Sequence, residues 1–124
     1  MAFTVLFVED DDDVREFIGT MLAPAGFRVL AAQDGTEALS LLAKNDDVDA
    51  LLTDIVMPGM SGIDLAKKAR ERQPKIKVLF MTGFYPHAAD TAGLGRVMLK
   101  PMLGPSLIEE LSELLASEGG TEKG

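Results

Sequence analysis

The sequence predicts an α/β fold built on a parallel sheet. Strand and helix patterns alternate along the chain, the order that produces a parallel sheet with crossover helices. The strand segments are short, continuously apolar runs, as expected for strands buried on both faces. With 124 residues, the chain has the length of one domain and can bury a core without disulfides. We therefore predict one domain over residues 1–117, followed by a flexible tail or the start of a linker at residues 118–124.

Five segments are predicted as strands because they are apolar and end at turn residues or charged residues. They cover residues 3–8, 28–32, 50–53, 77–81 and 97–99. Four of them are followed directly by polar residues, and this property carries most of the functional argument below.

Helices are predicted where apolar residues recur with helical spacing. The first helix has one apolar stripe, and its members are Val14, Phe17, Ile18, Met21 and Leu22. The second begins at Asp34, with Glu37 three residues later in a variant of the capping box. The third covers residues 63–72, and the last opens at Gly104 and Pro105.

The connection between the fourth and fifth strands has the weakest pattern. Residues 84–95 include Pro86, Gly93 and Gly95, so we expect a short or poorly formed fourth helix near residues 86–92. We also expect this segment to be the most mobile part of the domain.

Composition excludes several classes of function. A net charge of −8 argues against direct binding to nucleic acid or to an anionic membrane, because phosphate contacts need a basic patch. The chain has no cysteine, which rules out disulfides and thiolate metal sites. It has no apolar run long enough for a membrane span and no signal-peptide pattern, so a cytoplasmic location is expected.

Polar residues follow four of the predicted strands. Glu9 and Asp10 follow the first, Asp54 the third, Thr82 the fourth and Lys100 the fifth. The carboxyl ends of parallel strands lie on one rim, where open α/β sheets bind their ligands. The sequence therefore predicts three carboxylates, a hydroxyl and an ammonium group around one phosphoryl-handling site.

Glu9 opens a run of five consecutive acids that ends at Asp13. Asp11 to Asp13 are interpreted as helix N-terminal residues, which favour negative charge. Glu9 and Asp10 instead end a buried strand and, with Asp54, form a candidate metal site. Oxygen ligands without nearby histidine or cysteine favour Mg²⁺, or Mn²⁺, over zinc.

Taken together, four groups of residues resemble the receiver domain of two-component response regulators, in particular a chemotaxis-regulator-like single domain. The groups are Glu9-Asp10, the segment from Thr53 to Gly62, Met81-Thr82-Gly83 and Leu99-Lys100-Pro101. Each piece is common, but the ordered set at the ends of strands one, three, four and five is specific. The resemblance covers the chain from Phe3 to about Leu115.

The resemblance implies a flavodoxin-like, doubly wound sheet of five parallel strands in the order 2-1-3-4-5. It implies that Asp54 accepts a phosphoryl group from a histidine kinase or a histidine phosphotransfer protein. Glu9, Asp10, Asp54 and the backbone carbonyl of Val56 would hold Mg²⁺. Thr82 and Lys100 would contact the phosphoryl group, and the phosphoprotein would switch its contacts with a downstream protein. Such a domain catalyses its own phosphorylation and slow dephosphorylation and is not otherwise an enzyme.

The sequence departs from the family pattern at three positions. The family often has an aromatic residue three positions before the lysine, where this chain has Val97. The positions two residues after Asp54 and after Thr82 are the apolar Val56 and Phe84. Neither can orient an attacking water, so we predict slow hydrolysis of the aspartyl phosphate.

Three other functions remain open from the sequence. A pseudo-receiver would keep the fold as a binding module without phosphorylation. A Mg²⁺-dependent aspartyl-phosphate phosphatase would be expected to carry a second acid at the position of Val56. A flavodoxin-like cofactor protein would need a phosphate-cradling loop where this chain has acids.

Overall fold

The computed structural model of the chain describes residues 2–83, 93–99 and 104–120. Its strands are β1 (Thr4–Val8), β2 (Arg28–Ala32), β3 (Ala50–Asp54), β4 (Lys77–Thr82) and β5 (Arg96–Leu99). Its helices are α1 (Asp12–Leu22), α2 (Gly35–Lys44), α3 (Gly62–Arg72) and α4 (Gly104–Gly120). The five strands agree with the predicted segments to within one residue at each end.

All neighbouring strands pair in parallel, and the sheet has the order β2-β1-β3-β4-β5. This confirms the predicted topology. Val8 at the end of β1 lies beside Thr53, so Glu9 follows at the level of Asp54. Asp54 in turn pairs with Met81, next to Thr82. The register therefore brings the residues that follow β1, β3 and β4 to one rim.

The sheet separates two apolar clusters, as expected for a doubly wound fold. Leu6 and Val8 of β1 pack into a cluster with α2 and α3. The alternate residues Val5 and Phe7 pack with α1 and α4 on the opposite face. Every residue of β1 and of β3 is buried, which is why these strands have continuous apolar runs.

Helix α1 confirms the capping prediction but corrects its apolar stripe. The Asp11 side chain is the N-cap and accepts hydrogen bonds from the N–H groups of Asp13 and Val14, at 2.9 and 3.0 Å. Ile18 and Leu22 are buried, whereas Phe17 is 62% exposed. The assignment of Phe17 to the stripe was wrong because, at 3.6 residues per turn, it points about 120° away from the middle of the face formed by Ile18 and Leu22.

Helix α2 begins with the predicted capping interaction. The Asp34 side chain accepts from the Glu37 N–H at 2.8 Å. The Glu37 carboxylate reaches back to the N–H of Gln33, also at 2.8 Å, one residue before the cap. The two acids thus satisfy two donors at the start of the helix.

Two predictions concern segments that the structure does not describe or describes in part. The short helix expected at residues 86–92 lies outside the described residues. Helix α4 extends to Gly120, so residues 118–120 belong to it, and residues 121–124 lie outside the described part. None of the helices in the described ranges has the length and apolar character needed to cross a membrane.

Candidate functional site

The residues predicted at the carboxyl rim surround one open pocket of about 320 Å³. Its lining residues are Glu9, Asp10, Asp11, Asp54, Val56, Met81, Thr82 and Gly83. The structure thus brings together five of the six predicted site residues. The sixth, Lys100, lies outside the described residues, as do Phe84 and Pro101.

The carboxylates of Glu9, Asp10 and Asp54 form the acidic side of this pocket. Each contributes an oxygen atom that lies within 4.8 Å of the others. Glu9 is 3% and Asp54 is 5% exposed, whereas Asp10 is open to solvent. Three acids so close together, two of them buried, repel one another unless a cation offsets their charge. The donor set consists of oxygen atoms, which suits a hard divalent cation.

Glu9 is held in place by β2 and by the start of α1. The N–H of Glu9 donates to the Ala32 carbonyl at 3.0 Å, which continues the pairing of β1 with β2. Its carbonyl accepts from the Arg15 guanidinium at 2.8 Å, and one carboxylate oxygen accepts from the Asp11 N–H at 3.1 Å. Arg15 also forms an ion pair with Asp12. The side chain of Glu9 is therefore oriented by the loop that carries the acidic run.

Asp54 ends β3, and the backbone of the next residue, Ile55, is hydrogen-bonded both to β4 and to the start of α3. The Ile55 N–H donates to the Met81 carbonyl at 3.1 Å, which ties the end of β3 to β4. The Gly62 N–H donates to the Ile55 carbonyl at 2.8 Å and closes the loop between β3 and α3. Ser61 caps α3 by accepting from the Asp64 N–H at 3.1 Å.

The structural role of Gly62 was missed by sequence reasoning, which named it only as the last residue of the family-like segment that begins at Thr53. A Cβ atom on Gly62 would lie 1.9 Å from the carbonyl oxygen of Asp54, far inside van der Waals contact. Gly62 is also the first residue of α3 after its Ser61 cap, a position that does not itself require glycine. That mismatch is the sequence signal that could have indicated a close approach.

Thr82 and Val56 both line the pocket, but Thr82 is buried and Val56 is exposed. Thr82 ends β4 and is 5% exposed, and Val56 is 70% exposed although Ile55 and Met57 beside it are buried. The pocket therefore has the exposed, apolar side chain of Val56 at its rim. Val97, at the position where the family often has an aromatic residue, pairs with Phe80 and packs on the α2–α3 side of the sheet.

The sheet order and the helices on both faces define a flavodoxin-like α/β protein with an acidic pocket at the carboxyl ends of β1 and β3. The chain matches the model of the response regulator receiver domain over residues 5–112. It belongs to that family, the receivers of two-component systems.

Relatives of the chain include short and long proteins. The response regulator receiver protein CpdR of Brucella abortus is 37% identical over 115 residues, which are 90% of this chain and 95% of that protein. The uncharacterized transcriptional regulatory protein YrkP of Bacillus subtilis is 39% identical over 94 residues, which are 76% of this chain but 39% of that protein. The domain thus makes up nearly all of one relative and less than half of the other.

A solved structure supports the same fold. The response regulator receiver protein from Sinorhizobium medicae superimposes with a TM-score of 0.85 at 27% sequence identity, and the match covers 94% of this chain and 96% of that one. A receiver of a two-component system works with a kinase as its partner, which sets the general class of partner for this chain.

Proposed function

We propose that this chain is a phosphoacceptor switch, in which Asp54 accepts a phosphoryl group from a histidine kinase or a histidine phosphotransfer protein. The observation that carries this proposal is the position of Asp54. Asp54 is 5% exposed and lines an open pocket together with Thr82, and one of its carboxylate oxygens lies within 4.8 Å of an oxygen of Glu9 and of Asp10. The proposal thus places the acceptor acid in an open pocket, beside acids that could hold a cation and a hydroxyl that could donate to a phosphoryl oxygen.

The proposed cofactor is Mg²⁺, for which Mn²⁺ could substitute. Glu9, Asp10 and Asp54 would hold it through carboxylate oxygens, together with the backbone carbonyl of Val56. When bound, the ion neutralises negative charge on the transferring phosphoryl group, the main requirement of phosphoryl transfer. Support comes from the all-oxygen donor set and from the closeness of the three acids.

The residues of the chain then have distinct tasks. A carboxylate oxygen of Asp54 forms a bond to phosphorus while the bond from phosphorus to the histidine nitrogen breaks. The electron pair of the broken bond stays on the imidazole of the partner. The Thr82 hydroxyl would donate to a phosphoryl oxygen, and Lys100 would offset charge on the group.

The domain would act once per phosphoryl group and would not turn over an external substrate. Val56 supports this, because a phosphatase using an aspartyl-phosphate intermediate needs an acid near the nucleophile and Val56 is apolar and exposed there. The added phosphoryl charge would bias the surface around the pocket between two states. We place the domain in the cytoplasm, with a protein as its downstream target and no direct contact with nucleic acid or membrane.

The test is the intact mass of the protein after incubation with Mg²⁺ and acetyl phosphate. We expect one added phosphoryl group in the wild type, and none with Asp54→Ala or with a chelator. Asp46→Ala, which changes an exposed acid in the loop before β3, is the matched control and should be phosphorylated normally. If neither acetyl phosphate nor purified cognate kinase adds a group to the wild type, the chain is a pseudo-receiver and the proposal is wrong.

A further inference from the structure

We propose that Thr53 is a positioning residue for the phosphoacceptor, acting through a hydrogen bond from its hydroxyl to the backbone carbonyl of Asp54. This inference rests on the proposed function and adds a residue to which the preceding account gives no task. Thr53 lies in the middle of the sheet, beside Val8 of β1 and Phe80 of β4. It is fully buried, at 0% exposure.

The buried hydroxyl of Thr53 has a backbone carbonyl as its main hydrogen-bond acceptor. Its oxygen lies 2.9 Å from the carbonyl oxygen of Asp54 and 3.7 Å from the sulfur of Met57. A hydroxyl has one proton to donate, and a carbonyl is a stronger acceptor than a thioether. A buried hydroxyl without a partner would be costly, so this contact determines how the Thr53 side chain is oriented.

The peptide unit between Asp54 and Ile55 is consequently fixed at both of its polar groups. Its carbonyl accepts from the Thr53 hydroxyl, and its N–H donates to the carbonyl of Met81 at 3.1 Å. The α-carbon of Gly62 packs against the same carbonyl, since a Cβ there would lie 1.9 Å from the oxygen. Two hydrogen bonds and one close contact thus prevent this peptide from rotating.

Two groups of the proposed site depend on this peptide unit. The Asp54 carboxylate is carried by the α-carbon directly before it, and the Val56 carbonyl lies two peptide units further along the chain. Rotation of the peptide would move both groups relative to Glu9, which is held separately by its hydrogen bonds from Arg15 and from the Asp11 N–H. Because transfer depends on small displacements of the reacting atoms, loss of the Thr53 hydroxyl should weaken cation binding and slow phosphorylation together.

The test compares three variants of the full chain. Thr53→Val keeps the shape of the side chain and removes the hydroxyl, and Thr53→Ser keeps the hydroxyl. Thr4→Val makes the same change in another buried strand threonine, at the opposite end of the sheet. For each variant we would measure the rate of phosphorylation at saturating acetyl phosphate and the Mg²⁺ dissociation constant, following the amide signals of Asp54 and Ile55 by NMR.

We expect Thr53→Val to slow phosphorylation by about tenfold and to raise the Mg²⁺ dissociation constant severalfold, with a shift of the Ile55 amide signal in the metal-free protein. Thr53→Ser should restore both values to near those of the wild type, and Thr4→Val should change neither. The inference is overturned if Thr53→Val behaves like Thr4→Val, or if Thr53→Ser is as slow as Thr53→Val. A wild type that takes no phosphoryl group from any donor would instead contradict the proposed function, and the role of Thr53 with it.

Discussion

The α-carbon of Gly62 lies against the backbone carbonyl of Asp54, leaving no room for a side chain. A Cβ atom at Gly62 would lie 1.9 Å from that oxygen and 2.9 Å from its carbon. The atoms in the way are backbone atoms of a buried strand end, which cannot move aside as a flexible side chain would. The first turn of α3 is therefore seated directly behind the candidate phosphoacceptor.

Gly62→Ala should destabilise the fold and impair the site. Because overpacking against backbone forces a displacement, we expect the free energy of unfolding to fall by about 1–3 kcal/mol or more. Urea unfolding measures this, and phosphorylation of the folded fraction should also be slower. Gly19→Ala is the matched control, since its Cβ would meet nothing within 4 Å. In a helix interior it should stabilise the protein by about 0.5–1 kcal/mol. Equal stability of the two variants would contradict the close approach at Gly62.

Mg²⁺ should stabilise the folded protein through the three clustered acids. At a concentration ten times the dissociation constant, binding to the folded state adds about 1.4 kcal/mol, which is a rise of a few degrees in Tm. Asp10→Asn should abolish this rise and should leave the metal-free protein at least as stable, because it removes one of three repelling charges. Thermal unfolding with and without Mg²⁺ checks both effects. Asp46→Asn, at an exposed acid outside the pocket, should retain the full rise; a rise that persists in Asp10→Asn would count against the metal site.

Val56→Asn should shorten the lifetime of the phosphorylated state. The side chain of Val56 is 70% exposed at the pocket rim, where an amide could orient an attacking water. We expect loss of the phosphoryl group to accelerate by up to about tenfold, equivalent to about 1.4 kcal/mol of activation free energy. Phosphate release after removal of the donor provides the rate. Hydrolysis that is as slow in Val56→Asn as in the wild type would show that this position does not control the lifetime.

Arg70 should contribute to stability well beyond a typical surface arginine. Its guanidinium donates to the carbonyls of Ile76, Gly93 and Leu94, at 3.0, 3.2 and 2.7 Å. Arg70→Lys cannot reproduce this planar fork, so the free energy of unfolding should fall by about 1–2 kcal/mol as two partly buried carbonyls and an exposed one lose their donor. The control is Arg72→Lys, an exposed position on the same helix, which should change stability by less than about 0.5 kcal/mol. Denaturant unfolding of the two variants separates the effects, and equal losses would rule out the fork as a stabilising contact.

Most of the fold could be read from the sequence, because strands buried on both faces must be continuously apolar. Every residue of β1 and β3 is buried, and the apolar runs at residues 5–8 and 50–52 make up most of the two strands. The same logic found Glu9, Asp10, Asp54 and Thr82, since parallel strands carry whatever follows them to one rim. The helix caps at Asp11 and Asp34 were also predictable, because a cap depends on residues within three positions of it.

The contacts that the sequence did not reveal are those between distant segments. Whether Phe17 faces the core depends on where β1 and α4 lie around α1, and the apolar pattern of the helix cannot decide that. The close approach of Gly62 to Asp54 and the fork of Arg70 across residues 76, 93 and 94 each depend on distances fixed when the sheet and helices pack. Local sequence determines that successive residues of a strand face opposite sides of the sheet, and how a helix begins. Only the packing of the tertiary structure determines which atoms of separate strands, helices and loops come into contact.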